Sequence, residues 1–487
     1  MTATTPESHG IPSAAVLDLL DDLEQPGLDP HGLVIHRRGV PVVRGTWAPY
    51  RPEVPALVYS VSKTFTSIAV GHLVAEGRLS VDDLAAKVLG VTDPTGITVR
   101  HLLTMNTGHS AEQLPAVGFD SARLLGTVPE HAPGSRFVYN SPASMVLSSI
   151  VTTLTGERLT DYLRPRLLDP LGIADAWWTP HRDEGPEGGL DIDQGFSGLH
   201  LTAEDVARLA VAMADGGRYG GAQVIPAGWV AEMARAWSDN DLDPDAYPDW
   251  RAGYGYQVWR NDRWGFRADG AYGQFGLAVP ERGLAVGYLG ATRTTDRVLD
   301  AFRRFADRLS DGPLPPDPAG QETLDARLAA LDTWPGRTGP GRMEPDPEPT
   351  PSDVVSPVPW TLVSREPGAC TLAVGDDVLV AAEDSWTTHV LAWPHRPDEP
   401  GEAGGARGAR DDVLVLAVRA RTADDGSTEV HAVVPTSPHG LVARGRPGER
   451  LDLAWVTTPL WRPSLSTLAV PRGYRLPGVR TETIPDS

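Results

Sequence analysis

The chain has 487 residues, 41% apolar and 22% charged, a composition that suits a soluble globular protein of roughly two to four domains. Its formal net charge of −21 argues against non-specific binding to nucleic acid or to anionic lipid. The single cysteine, Cys370, excludes an intramolecular disulfide and a metal centre built on several thiolates.

Residues 1–10 are polar and lack the basic and apolar regions of a secretory signal, and no run approaches the roughly 18 apolar residues of a membrane span. A cytoplasmic location is the expectation. Ser13 to Glu24 has helical periodicity. Gly32 to His36 and Val40 to Arg44 then read as a β-hairpin, with Pro41 marking an edge or a bulge.

Leu57 to Gly77 reads as a helix that is apolar nearly all round and closed by Gly77. Such a helix belongs inside a domain. It nevertheless carries Lys63, three residues after Ser60 and on the same face, with Thr64, Ser67 and Gly71 continuing that stripe in small groups. A buried ammonium beside a hydroxyl is costly unless used. One use is Ser60 as nucleophile with Lys63 helping to take its proton. A lysine that snorkels to water from a helix end fits the same four residues.

Ser80 to Asp83 predicts a helix start, with Ser80 as N-cap. From about 80 to 233 the pattern is mainly helical: Val99 to Met105, Ser141 to Leu154, Leu159 to Leu168 and Ala203 to Gly216, the last capped by Thr202. From Gly255 to Leu289 the period is two, with strands at Tyr256 to Trp259, Trp264 to Arg267, Gly276 to Val279 and Leu284 to Tyr288. Asp296 to Leu309 returns to helix. This order predicts an α+β unit over residues 1–310: an antiparallel sheet flanked by helices, with a mostly helical insertion at about 80–233. Residues 311–359 read as a linker rich in Pro, Gly and acidic residues, with a short helical run near Leu324 to Leu331. Residues 360–487 read as an all-β sandwich or small barrel, interrupted at 394–412 by a Gly/Pro/charged insertion.

Two further segments could carry chemistry. In Pro133 to Ala143, Tyr139 and Ser141 lie where a loop feeds a helix, a place suited to presenting polar groups. A core tyrosine and an N-cap serine fit the same pattern. In Ala268 to Gln274, Gly270 permits close backbone approach, and an edge strand there could offer an N–H to an oxyanion. A Gly-rich hairpin turn also fits. No nucleophile elbow is present, since Gly195-Phe196-Ser197-Gly198-Leu199 fails at its last position. The thirteen histidines show no ligand spacing, and neither a cofactor nor a metal is expected.

Taken together, S-V-S-K at 60–63 read with its flanks, Y-N-S at 139–141 after P-G-S-R-F, and A-D-G-A at 268–271 resemble the serine β-lactamase/penicillin-binding-protein superfamily, in the branch of class C β-lactamases, DD-peptidases and esterases. His101 to His109 and Ser197 to Ala207 resemble two connecting segments of that family, and the resemblance covers about residues 10–310. It implies a β-lactamase/transpeptidase-like fold. It implies Ser60 as the acylated nucleophile, Lys63 and Tyr139 as proton relay, and the backbone N–H groups of Ser60 and Ala271 as oxyanion hole. It also implies substrate contacts from Asn140, Ser141, Asp269 and Gly270. Two departures bear on substrate. Serine replaces asparagine at the third position of Y-x-N, and A-D-G replaces K-T-G, so an acid stands where a cation meets a substrate carboxylate. The expectation is a serine hydrolase for small carboxylic esters, with D-amino-acid amides or peptides second and β-lactams third. The alternative is a non-catalytic or slowly acylated binding or sensor protein.

Overall fold

The computed structural model describes residues 5–92, 94–183, 189–240, 245–334, 354–393, 412–460, 463–471 and 474. Helix α1 (Ser13–Leu23) leads into strands β1 (Pro30–Arg37) and β2 (Val40–Thr46). Helix α2 (Val61–Ala75) follows, then α3 (Ser141–Thr155) and α4 (Ala203–Ala214). Strands β3 (Trp259–Arg260), β4 (Phe266–Gly270), β5 (Gln274–Val279) and β6 (Leu284–Gly290) come next, and α5 (Thr295–Asp307) closes the sequence. The six strands form one antiparallel sheet in the order β3-β4-β5-β6-β1-β2. Strands from both ends of the region thus pair in its middle, as the alternating patterns predict.

The apolar faces of α1 and α5 cover one side of this sheet, with Leu19, Leu20, Phe302 and Phe305 packed on Leu33, Leu277 and Val286. On the other side a larger core surrounds α2 and reaches α3 and α4. Val61 through Gly71 are all buried. Burying side chains such as Phe65, Ile68 and Leu73 stabilises by about 1.5–3 kcal/mol each. A Cβ on Gly71 would stand 2.7 Å from the Trp229 indole, so the small-residue stripe does admit a close neighbour. Pro41 lies in β2, the last strand of the sheet, where the β1–β2 register also shifts between Ile35 and His36.

Several boundaries differ from expectation. The helix over Leu57 to Gly77 begins only after Ser60, and Ala56–Leu57 instead pairs as a short strand with Leu199–Leu201. Ser80 to Asp83 is a turn: the Ser80 amide donates to the Asp83 carboxylate at 2.7 Å, but Leu84 is extended and bridges Thr98, so the helix starts at Ala85. Tyr256 to Trp259 is strand only from Trp259, because Gln257 takes a left-handed φ of 61° and ties its side chain to the Leu102 and Leu103 carbonyls. Within 311–359, a helix runs over Pro318–Ala329, and residues 335–353 lie outside the described ones.

Beyond Trp360 the described elements are almost all strands. Three of them, from Trp360 to Ala382, form one antiparallel sheet, and those from Thr387 to Pro471 form a second. The two share a core that includes Trp360, Leu372, Leu416 and Trp455. The strand Gly440–Gly445 was not legible in the sequence, where glycines bracket a run of only four residues. The insertion expected at 394–412 falls, except for Asp412, outside the described residues. Among the described residues no helix is long and apolar enough to cross a membrane.

Candidate active site

Ser60 is the N-cap of α2, and the residue before it, Tyr59, has a left-handed φ of 47°. Left-handed backbone is uncommon for a bulky residue and marks a constrained turn. The constraint is visible. The Tyr59 carbonyl accepts from the Ser62 amide at 3.1 Å and from the Ser62 hydroxyl at 2.6 Å. The Val58 amide donates to the Leu199 carbonyl at 2.9 Å, and the Leu199 amide to the Ser62 hydroxyl at 3.2 Å. This turn leaves Ser60 half-buried at the head of an apolar helix.

Lys63 is 1% exposed, and its Nζ lies 2.8 Å from the Ser60 Oγ and 2.8 Å from the Phe196 carbonyl. Burial lowers the Lys63 pKa to about 7, against a smaller upward pull from Asp269. Near neutrality the amine is therefore poised between its two forms, and the Nζ–Oγ contact can pass a proton in either direction. Phe196 belongs to the segment that fails as a nucleophile elbow. Its part is a backbone carbonyl, which no side-chain pattern reveals, and a ring whose centroid lies 5.7 Å from Lys63 Nζ.

Tyr139 comes from the loop before α3. A side-chain hydrogen bond links it to Ser60, and Lys63 Nζ lies 4.9 Å from its ring centroid. Burial pushes its pKa up, and the bond to Ser60 pulls it partly back, so it rests as a neutral phenol. The structure therefore brings Ser60, Lys63 and Tyr139 together from two distant segments. Tyr139 also stacks on Trp259 at 5.6 Å, beside Phe137 and Tyr254, forming an aromatic wall that the sequence reading missed. These residues are scattered through irregular chain, so no periodicity marks them.

Asn140, expected to contact substrate, stands at the N-terminus of α3. It is fully buried and caps α3, accepting from the Ala143 amide at 3.1 Å and donating to the Thr107 hydroxyl at 2.9 Å. Each end of its amide thus makes one bond within the protein. Ser141 is the first helical residue, half-buried, and Asn140 takes the cap position that Ser141 could have held.

Asp269 and Gly270 end β4, and Ala271 begins the turn that follows. Strand β3 pairs only with Phe266 and Arg267, so the rest of β4 forms the sheet's edge there. Asp269 is not a free carboxylate. Arg267, fully buried two residues earlier on the same face, donates to it at 2.7 Å. The two-residue strand period would have predicted that pairing. Burial raises the Asp269 pKa, while Arg267 and then Lys63 oppose the shift. The Ala271 carbonyl accepts from the Gln274 side chain at 3.3 Å, which helps fix its peptide unit. Among the described residues no cluster of three or more His, Cys, Asp or Glu could hold a metal ion.

A serine, a buried amine, a phenol and a strand edge thus meet in one site, and the family model described as Beta-lactamase matches residues 3–308. The chain belongs to the Beta-lactamase family. This is a superfamily of serine hydrolases, with esterase, amidohydrolase and penicillin-binding-protein-like members. The chain is 26% identical over 265 residues to 6-aminohexanoate-dimer hydrolase of Paenarthrobacter ureafaciens, covering 47% of this chain and 64% of the relative. It is 27% identical over 195 residues to esterase EstB of Burkholderia gladioli, covering 32% and 49% respectively. A Beta-lactamase of Escherichia coli K12 is 28% identical over 125 residues, covering 24% of this chain and 33% of that protein. The chain thus spans between a third and just under two thirds of these curated relatives. The fold matches a penicillin-binding protein homologue from Caulobacter crescentus with a TM-score of 0.51 at 20% identity, over 63% of this chain and 99% of that one.

Proposed function

We propose that this Beta-lactamase family member is a serine hydrolase that works through an acyl-enzyme. The observation that carries the reading is the 2.8 Å contact between Lys63 Nζ and Ser60 Oγ, made by an amine whose pKa of about 7 suits a general base. Ser60 Oγ attacks the substrate carbonyl while its proton passes to neutral Lys63. The carbonyl oxygen, now an oxyanion, is met by the N–H groups of Ser60 and Ala271. As the tetrahedral intermediate collapses, the bond to the leaving group breaks. Tyr139 donates its proton to that group and is reprotonated from Lys63. Water then attacks the Ser60 ester, giving its proton to the relay, and the acid departs as Ser60 regains its own.

Small carboxylic esters are the preferred substrates, D-amino-acid amides or peptides the second choice and β-lactams the third. Three points support this order. The acid at position 269 stands where a cation would greet a substrate carboxylate, and the nearest arginine is buried and already engaged by it. The half-buried rings of Trp259 and Phe137 beside Tyr139 suit an apolar acyl or leaving group. An esterase and an amide-dimer hydrolase are among the relatives. We read residues 1–310 as the hydrolase unit, 311–359 as a linker and 360–487 as a separate β unit. Turnover of an activated short-chain ester by the wild type and by Ser60→Ala tests the function. Loss of turnover in the folded variant supports it, and full activity in that variant defeats it.

A further inference from the structure

The left-handed Tyr59 needs an anchor, and its hydroxyl finds one far along the chain. Tyr59 Oη lies 2.5 Å from His439 Nε2. His439 Nδ1 lies 2.8 Å from the Thr457 carbonyl, which can only accept, so Nδ1 carries the proton and Nε2 accepts from Tyr59. His439 is fully buried, and burial lowers its pKa to about 3, so the ring stays neutral and this tautomer persists. A backbone hydrogen bond from Leu460 also reaches Tyr59.

The second half of the site is held from the same side. Tyr272, the residue after Ala271, is likewise left-handed at φ 66°, and its hydroxyl donates to the Thr458 carbonyl at 2.6 Å. The rings of Tyr59 and Tyr272 meet at 5.5 Å, and each packs edge-on to His439. Just upstream, the Leu57 amide donates to the Thr436 carbonyl at 2.9 Å. Both turns that carry the candidate oxyanion-hole amides are therefore gripped by the stretch around His439 and by residues 457–460.

We propose that His439 is a positioning residue for the hydrolytic site: by accepting from the Tyr59 hydroxyl it holds the left-handed turn that aims the Ser60 amide. This rests on the acyl-enzyme reading above. A strained residue persists only where its surroundings over-determine it. Here that duty is shared between the Ser62 and Leu199 bonds and the C-terminal loops that carry His439 and Thr457 to Leu460, which makes those loops part of the site's frame. The peptide plane between Tyr59 and Ser60 turns with the Tyr59 backbone. Loosening it moves an N–H that must meet charge in the transition state and matters little for substrate already bound.

The test uses the full-length protein and a fluorophosphonate probe, with labelling located by peptide mass mapping and its rate followed over time. Tyr59→Phe keeps the ring and deletes only the hydroxyl. His439→Leu deletes the acceptor, and His439→Gln restores one. Labelling of Ser60 and kcat on an activated ester should each fall about ten- to a hundredfold in Tyr59→Phe and His439→Leu. KM should stay unchanged, most of the loss should return in His439→Gln, and the double variant Tyr59→Phe/His439→Leu should be no worse than either single one. If His439→Leu fails to fold, the near-isosteric Tyr59→Phe decides alone. Wild-type labelling and kcat in Tyr59→Phe, or a loss confined to KM, overturns the proposal. A wild-type protein that takes no label on Ser60 defeats the acyl-enzyme reading itself, and this proposal falls with it.

Discussion

A Cβ placed on Gly270 would stand 2.2 Å from the carbonyl oxygen of Val58, two residues before Ser60. The end of β4 and the serine turn are thus in backbone contact, and only glycine permits that spacing. In Gly270→Ala one of the two must shift. We expect a stability loss of about 1–3 kcal/mol in urea unfolding. We also expect kcat to fall about tenfold or more, because the turns bearing Ser60 and Ala271 would move apart. Wild-type unfolding and kcat would contradict this relationship.

Lys63→Met separates catalysis from folding. Loss of the proton acceptor should lower kcat/KM about 10²–10⁴-fold. The variant should fold with equal or greater stability, since a buried amine is exchanged for an apolar chain of similar length. Activity on an activated ester and thermal unfolding, measured together, check both parts.

The acid limb of the rate should follow Lys63. Its neutral form takes the proton, so kcat/KM should rise with pH through about 7 and then level off. The Asp269 carboxylate pulls that pKa upward, so Asp269→Asn should move the limb to lower pH. A pH–rate profile of the two proteins reads the shift, and a limb that stays put or moves upward removes Lys63 from the role of base.

Asn140→Ala should weaken the protein rather than its grip on substrate. It deletes an N-cap and removes one of the two bonds to the buried Thr107 hydroxyl, which keeps His109 Nδ1 at 3.1 Å, at a cost of about 1–2 kcal/mol. KM should remain at the wild-type value. A raised KM with unchanged stability would return Asn140 to the substrate.

Much of this was legible in the residues. The apolar helix read over Leu57 to Gly77, the strands read at Gly276 to Val279 and Leu284 to Tyr288 and the Thr202 cap are local signals, and each formed within a few residues of its expected bounds, whereas the strand read at Trp264 to Arg267 formed at Phe266–Gly270. The burial of Asn140 was not legible, because position in a motif does not reveal burial, and a cap and a ligand can use the same amide. Tyr256 to Trp259 deceived because apolar alternation says nothing of a left-handed residue such as Gln257 that is held by distant carbonyls. Phe196 meets Lys63 with its carbonyl and with its ring, 5.7 Å from Nζ, and His439 reaches Tyr59 across 380 positions. Contacts of that kind arise from the tertiary fold and leave no spacing to read.

Acid quenching during turnover of a p-nitrophenyl ester, followed by peptide mapping, tests the central claim most directly. The acyl group should appear on the peptide containing Ser60, form in step with the release of p-nitrophenol and be absent from Ser60→Ala. Release of p-nitrophenol with no acyl mass on that peptide, or an acyl group carried on another residue, would contradict it.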